Sequence, residues 1–286
     1  MMIEDPARWN LLIRRSYEVD ISRAFHLFNV HEVAAMMFKG FVAARSYPSA
    51  HARTFFDLDI SVPARLYQRA LELLGSNTPS RWGIDLHCEF RHLDTVPWQT
   101  IYDRCEVLDL EGVAVRVPRA EDHLRIMAVH WLTDGGQYKE RLYDIYYAVQ
   151  NRPASFDWEM CLDSVSKTRR KWIITTIGLA QRYLDLDISD LPFKSEAKQI
   201  PAWIIKCVQS EWASDVRLRP LQTALRSPKQ LFQQIRKRIP PNPIQATIDM
   251  EGSFDDRSRV YYQLGSIAKR IGPSIPRVTR SLLHRR

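Results

Sequence analysis

Asp57 and Asp59 lie one residue apart in the run Phe55-Phe56-Asp57-Leu58-Asp59-Ile60, two carboxylates inside an otherwise apolar segment. On a β-strand alternate side chains leave on opposite faces, so Phe56, Leu58 and Ile60 enter a core while both aspartates project together from the other side. A pair so placed can hold a hard divalent cation. Magnesium takes oxygen ligands, keeps several waters and is usually bound by one or two carboxylates together with substrate phosphates. The spacing therefore points to phosphate chemistry. The alternative is the solvated face of an antiparallel strand, which alternates in the same way.

A third acid, Asp85, occupies a similar setting in Trp82-Gly83-Ile84-Asp85-Leu86-His87. Three acids on adjacent strands suit two metal ions about 3.5–4 Å apart, one activating the attacking oxygen and the other stabilising the leaving oxygen of a phosphoryl displacement. Asp57 and Asp59 would bridge the ions and Asp85 would complete the site. Glu89 is the rival third acid, because four residues further along a regular strand it shares the face of Asp85. Upstream, Lys39-Gly40 offers a cation and a backbone open to close approach, both suited to a triphosphate. Arg53 could act likewise; a turn and a surface charge are the plain alternatives. His87 falls on the face of Asp85 and can touch or orient a substrate. His123 and His130 are two helical turns apart and return to nearly one face, where a capped or core histidine is the competing role. Arg141 and Asp144, at i and i+3, can pair on a helix.

These residues need elements to position them. Residues 8–30 repeat apolar side chains at spacings of three and four, which predicts a helix. Val33 to Phe38 suits a strand ending at Lys39-Gly40, although its Ala and Met content also allows a helix; a helix over 41–45 and the Asp-x-Asp strand over 55–62 follow. Pro63 opens an amphipathic helix with Gly75 as its stop. Strands follow at 82–90, 106–110 and 113–117, the last two joined by a Glu111-Gly112 turn. From Pro118 the period is helical, with helices over 120–132, 138–149, 158–165, 172–184, 202–213 and 220–239, and Pro240-Pro241-Asn242-Pro243 breaks the last. The pattern predicts an α+β protein: an α/β domain over residues 1–117, a helical domain over 118–216, and a basic C-terminal extension, partly helical or disordered, over 217–286.

Composition fits an ordinary globular chain: 45% hydrophobic and 26% charged residues exclude the disordered and fibrous classes. No apolar run approaches the roughly 20 residues of a membrane-spanning helix, and Met1-Met2-Ile3-Glu4-Asp5-Pro6 lacks the basic and apolar pattern of a secretion signal. A cytoplasmic location is the expectation. Cys88, Cys105, Cys161 and Cys207 are scattered without zinc spacing and are expected to be reduced, mostly buried thiols. The net charge of +8 lies in the tail, where residues 217–286 hold 15 Lys/Arg against four acids, leaving 26 basic and 29 acidic residues before it. Such a segment suits nucleic acid, an anionic surface or an acidic partner.

The ordered set Lys39-Gly40, Tyr47-Pro48, Arg53, Asp57-Leu58-Asp59-Ile60-Ser61-Val62 and Asp85-Leu86-His87 resembles the uncharacterised bacterial nucleotidyltransferase family of the polymerase-beta-type superfamily. Pro118 to Leu124, His130 and Arg141-Leu142-Tyr143-Asp144 extend the resemblance, which covers roughly residues 25–185. It implies a small mixed nucleotidyltransferase-type sheet with flanking helices, followed by a helical portion. It implies transfer of a nucleoside monophosphate from an NTP, ATP being the first expectation, with two Mg2+ ions and release of pyrophosphate. The acceptor would be a hydroxyl or phosphate of a small molecule, peptide or protein; relatives in natural-product and cell-surface polysaccharide gene clusters suggest a modifying role. By motif, Asp57, Asp59 and Asp85 would be the metal-binding catalytic acids, and Lys39, Gly40 and Arg53 the nucleotide contacts. His87, His123, His130, Arg141 and Asp144 would bind or orient substrate. Lys39-Gly40 departs from the superfamily's Gly-Ser or Gly-Gly phosphate loop, and Ser61-Val62 is less apolar than usual. The competing expectation is a degenerate nucleotide- or partner-binding module, with the basic tail on nucleic acid or an anionic surface.

Overall fold

Two helices and two strands open the chain: α1 (Pro6–Val30), β1 (Met36–Met37), α2 (Gly40–Ala44) and β2 (Leu58–Val62). A turn of 3-10 helix at Ala64–Leu66 leads into α3 (Tyr67–Asn77), then β3 (Ile84–Cys88), α4 (Trp98–Asp103) and the hairpin β4 (Glu106–Leu110) and β5 (Val113–Val117). The computed structural model describes residues 6–49, 53–55, 57–77, 83–218 and 227–270. Phe56, residues 78–82 and the expected helical stretch 220–226 fall outside that set, as do 271–286.

Leu58, Ile60 and Val62 are fully buried, which makes β2 the central strand of a three-stranded sheet of order β1-β2-β3. β1 pairs with it antiparallel, Met37 opposite Ile60, and β3 pairs parallel, Asp59 opposite Asp85. Parallel neighbours need a crossover, and α3 supplies it. Gly75 does not stop that helix, which continues to Asn77; a side chain built at Gly75 would meet nothing within 4 Å, so the residue sits on an open helix surface. The β4–β5 turn is made by Glu111 (φ 57°) and Gly112 (φ 78°), both left-handed as a two-residue type I′ hairpin requires. On one side α1 lays Ile21, Phe25 and Phe28 against β2 and β5.

The second half is helical: α5 (Ala120–Thr133), α6 (Leu142–Gln150), α7 (Trp158–Asp163), α8 (Lys167–Leu184), α9 (Lys194–Ala197) and α10 (Ala202–Trp212). Beyond residue 226 come α11 (Pro228–Arg238), α12 (Pro243–Asp249) and α13 over 260–270. The starts follow capping chemistry: side-chain oxygens of Asp157, Ser166, Ser227 and Asn242 accept from first-turn amides of α7, α8, α11 and α12. Helix α5 is the hub, buried almost all round and packed on α6, α7, α8 and α12. No described helix is long and apolar enough to cross a membrane. The four cysteines are free; only Cys161 is fully buried and the others are half-buried.

The core does not stop at residue 117. Its larger part joins Met36, Phe38, Phe90, Trp98 and Ile101 to the apolar faces of α5, α6 and α8. A buried ion network crosses the same seam. Arg125 of α5, 1% exposed, donates to Asp94 at 3.0 Å and to Asp122, and Arg104 donates to Asp122 at 2.9 Å. The tail is drawn in as well. Phe254 is buried, Trp172 donates to the Gly252 carbonyl at 3.0 Å, and Trp203 donates to the Phe254 carbonyl at 3.1 Å. Several tail cations are engaged within the chain, Lys237 on Glu211 at 2.6 Å and Arg270 on Asp249 at 2.5 Å.

Helices α8 and α9 cross where Gly178 faces the Ala197 carbonyl. A methyl at Gly178 would lie 2.0 Å from that oxygen. Gly178→Ala should destabilise the protein by about 2–3 kcal/mol, read as a lower urea midpoint at unchanged m-value.

Candidate active site

Asp59 is 4% exposed, so it does not lie on a solvated strand face. A buried carboxylate keeps its charge only when paired and hydrogen-bonded. Lys39 Nζ donates to Asp59 Oδ1 at 2.7 Å, and His87 Nε2 lies 3.0 Å from the same oxygen. His87 Nε2 also lies 3.1 Å from Asp85 Oδ2, so a proton there serves both carboxylates. Strand pairing brings them together. The parallel register sets Asp59 beside Asp85, and the Phe38 amide donates to the Asp59 carbonyl at 3.1 Å, which ends β1 with Lys39 at the cluster. Burial raises the proton affinity of Asp59, but the His87 hydrogen bond and Lys39 outweigh it and hold its carboxyl below the ordinary aspartate range.

Asp57 sits at a bend just before β2, exposed, rather than on the strand. Partial desolvation of its carboxylate, then Asp59 and more weakly Asp85, push its proton affinity up against the pull of Lys39. Lys39 has φ 59°, a left-handed conformation uncommon outside glycine. The adjoining Gly40 opens α2, and a Cβ there would lie 2.7 Å from Phe55 Cβ, so glycine permits the close approach of α2 to the segment before β2.

A second cluster surrounds Asp144 on α6. Its buried carboxylate accepts Arg53 Nε at 2.8 Å and Nη2 at 3.0 Å, and the Tyr47 hydroxyl at 2.7 Å. Burial opposes the Arg53 charge, but Asp144 overrides it and strengthens the hold on the proton. Asp144 thus anchors Arg53 and does not pair with Arg141. The 3-10 turn Lys139–Arg141 precedes α6, and Arg141 reaches back to Asp134 at the end of α5, 2.6 Å away, with its guanidinium over the Tyr138 ring.

Both clusters open into one cavity of about 680 Å³. Lys39, Gly40, Arg53, Asp57, Asp59, Asp85, His130, Arg141 and Asp144 all line it, and His87 lies behind Asp59 and Asp85. His123 and Glu89 are not among the lining residues. Seven residues of helix advance about 10 Å, enough to carry α5 from His130 at the cavity to His123 in the interior, where Nε2 has no hydrogen-bond partner among the described residues. His123 is thus buried, 5% exposed, and set back from the cavity lining. Glu89 falls beyond the end of β3 with φ 54°, and its carboxylate accepts the Ala64 amide at 3.4 Å, so it no longer shares the face of Asp85. Tyr47, Tyr138, Tyr143 and Tyr147 also line the cavity. The i, i+4 spacing of Tyr143 and Tyr147 was the available sign of an aromatic wall.

Removing one partner of a buried ion pair leaves the other uncompensated. Lys39→Met should therefore destabilise by about 3 kcal/mol. A double-mutant cycle with Asp59→Asn should give a coupling of about 1–3 kcal/mol in urea unfolding, and additive effects would refute the pairing. Burial, aided by Arg45, pushes His123 down to about 3. Between an ordinary histidine value of about 6.5 and that value, the unfolded chain binds a proton that the native state excludes. Native stability should fall as pH drops through this window, by up to about 1.4 kcal/mol per unit, and His123→Leu should flatten the slope.

A family model described as uncharacterised nucleotidyltransferase matches residues 7–185, well over half the chain. A crystal structure of an antigenic nucleotidyltransferase-like protein from Paracoccidioides brasiliensis is similar at a TM-score of 0.41 and 14% identity, over 64% of this chain and 92% of that one. No curated protein matches the chain. With the family match spanning both the β2–β3 carboxylates and the α5–α6 pair of helices, the chain belongs to the uncharacterised nucleotidyltransferase family.

Proposed function

We propose that this nucleotidyltransferase transfers a nucleoside monophosphate from a magnesium-bound NTP, ATP first among them, to a hydroxyl or phosphate of a small molecule, peptide or protein. The observation that carries this reading is the convergence of Asp57, Asp59 and Asp85 with Lys39 in one cavity. The donor set fits a divalent ion: Asp59, Asp85 and His87 present ligand atoms within 4.8 Å of one another, and Asp57 lines the same cavity. Asp57, Asp59 and Asp85 would hold the ions. When bound, the ions supply Lewis-acid stabilisation of the attacking and leaving oxygens.

The residues do the rest. An acceptor oxygen forms a bond to the α-phosphorus, the bond from that phosphorus to the bridging α–β oxygen breaks, and pyrophosphate leaves with the electron pair. Asp85, whose side chain is 54% exposed, is placed to take the proton lost by an acceptor hydroxyl. Arg53, fixed by Asp144, and Arg141, fixed by Asp134, offer positive charge to the triphosphate. Lys39 balances Asp59 before nucleotide arrives and is the cation nearest to take over phosphate contacts where the superfamily uses a small-residue loop.

A second reading is favoured by one contact: the Lys39 ammonium already satisfies Asp59 at 2.7 Å. In a degenerate binding module that pair would persist, and nucleotide would bind without a metal requirement.

Incubation with Mg2+ and each labelled NTP should release pyrophosphate. Asp57→Asn, at an exposed position, should cut the rate by about 10²-fold or more while the melting temperature holds. Equal behaviour of wild type and variant with every nucleotide and a broad acceptor set would refute catalysis. Nucleotide binding that survives chelation of the metal would select the degenerate module.

A further inference from the structure

Helix α6 carries an aromatic ladder with one end uncovered. Tyr143 and Tyr147, at i and i+4, share a helix face, their rings 6.1 Å apart and tilted by 26°. Tyr147 in turn packs on Tyr47 with centroids 4.3 Å apart. Tyr47 is pinned by its hydroxyl to the buried Asp144 at 2.7 Å. The ladder is thus braced at its inner end by the carboxylate that also fixes Arg53. At its outer end Tyr143 lines the cavity and is 40% exposed.

We propose that this ladder is the nucleobase wall of the site, with Tyr143 the ring on which the base of the NTP stacks. The inference rests on the proposed NTP chemistry. A nucleotide is a flat π-system joined to a polyanion, and this cavity is bipolar in the same sense. Arg53 and Arg141 line the same cavity as a stack of tyrosines, and Asp144 ties the stack to Arg53 through Tyr47. The volume of about 680 Å³ falls in the usual range of about 300–1,000 Å³ for small-ligand sites. Ring-on-base stacking contributes enough to matter in such a site and tolerates any base, because every base has a π-face. The wall therefore gives affinity with weak discrimination among nucleotides.

Two probes separate the base from the phosphates: α,β-methylene-ATP, which cannot be turned over, and inorganic tripolyphosphate, which has no base. Both are titrated with Mg2+ into the full chain by calorimetry. Tyr143→Ala should weaken the ATP analogue by about tenfold or more and leave tripolyphosphate within about twofold, while Tyr143→Phe, which keeps the ring, should bind like wild type. Because Tyr143 is partly exposed, both variants should keep the wild-type melting temperature; Tyr143→Leu serves as a second ring-free variant. An unchanged ATP analogue affinity in the ring-free variants overturns the proposal, as does equal weakening of both probes. Wild type that binds neither probe overturns the NTP chemistry and this inference together, whereas tripolyphosphate binding without any ring effect overturns the inference alone.

Discussion

Burial of the Asp59 carboxylate is the constraint from which the arrangement of the sheet follows. A charge so enclosed needs compensation from its neighbours, and each side supplies one group: Lys39 just after β1, and His87 on β3. The apolar face of β2, Leu58, Ile60 and Val62, sets which side turns inward, and the polar side must then meet its partners at one register. A slip of one residue would send Asp59 into the apolar layer and Leu58 to the charged one. Hydrophobic pattern and charge compensation thus specify the same pairing, which is the kind of agreement between levels that gives a sequence a single fold.

The site is completed from outside the sheet. Asp144 of α6 holds Arg53 in two hydrogen bonds, so a helix from the second half of the chain positions a cation just upstream of β2. Asp134, at the end of α5, does the same for Arg141. Two carboxylates therefore serve as anchors for guanidinium groups while three others face the cavity. Burial does not divide them: Asp144 and Asp59 are enclosed, whereas Asp57 and Asp85 are exposed and Asp134 is half-buried.

Much of this was legible in the amino-acid order. Apolar period marks α1, α5 and α6, and the Glu111-Gly112 turn marks the β4–β5 hairpin, because those signals are local. The third acid was ambiguous between Asp85 and Glu89 for the same reason: alternation assumes a regular strand, and the left-handed turn at Glu89 cannot be read from spacing. Arg141 and Asp144 looked like a helical pair, yet Arg141 turns back seven residues to Asp134 and Asp144 takes Arg53 from 91 residues upstream, where proximity depends on packing. His123 and His130 share a helix face but differ in depth, a distinction that periodicity does not carry. The short helices α4, α9 and α12 were missed because few residues give too little period to detect, and their stability comes from tertiary packing. Tyr143 and Tyr147 were visible as letters, but only the fold shows that their face borders the charged cavity.

The continuity of the core across residue 117 bears on how this architecture can be inherited. Met36, Phe38 and Trp98 lie in the same apolar interior as α5 and α8, and the Asp94–Arg125–Asp122–Arg104 chain of charges spans the join. A gene fragment encoding the sheet alone would expose that interior and strand Asp94 and Arg104 without Arg125 and Asp122. Recombination can therefore exchange this sheet for another only together with its helical half. Variation in what the cavity admits must accordingly arise by substitution around its rim, not by trading domains.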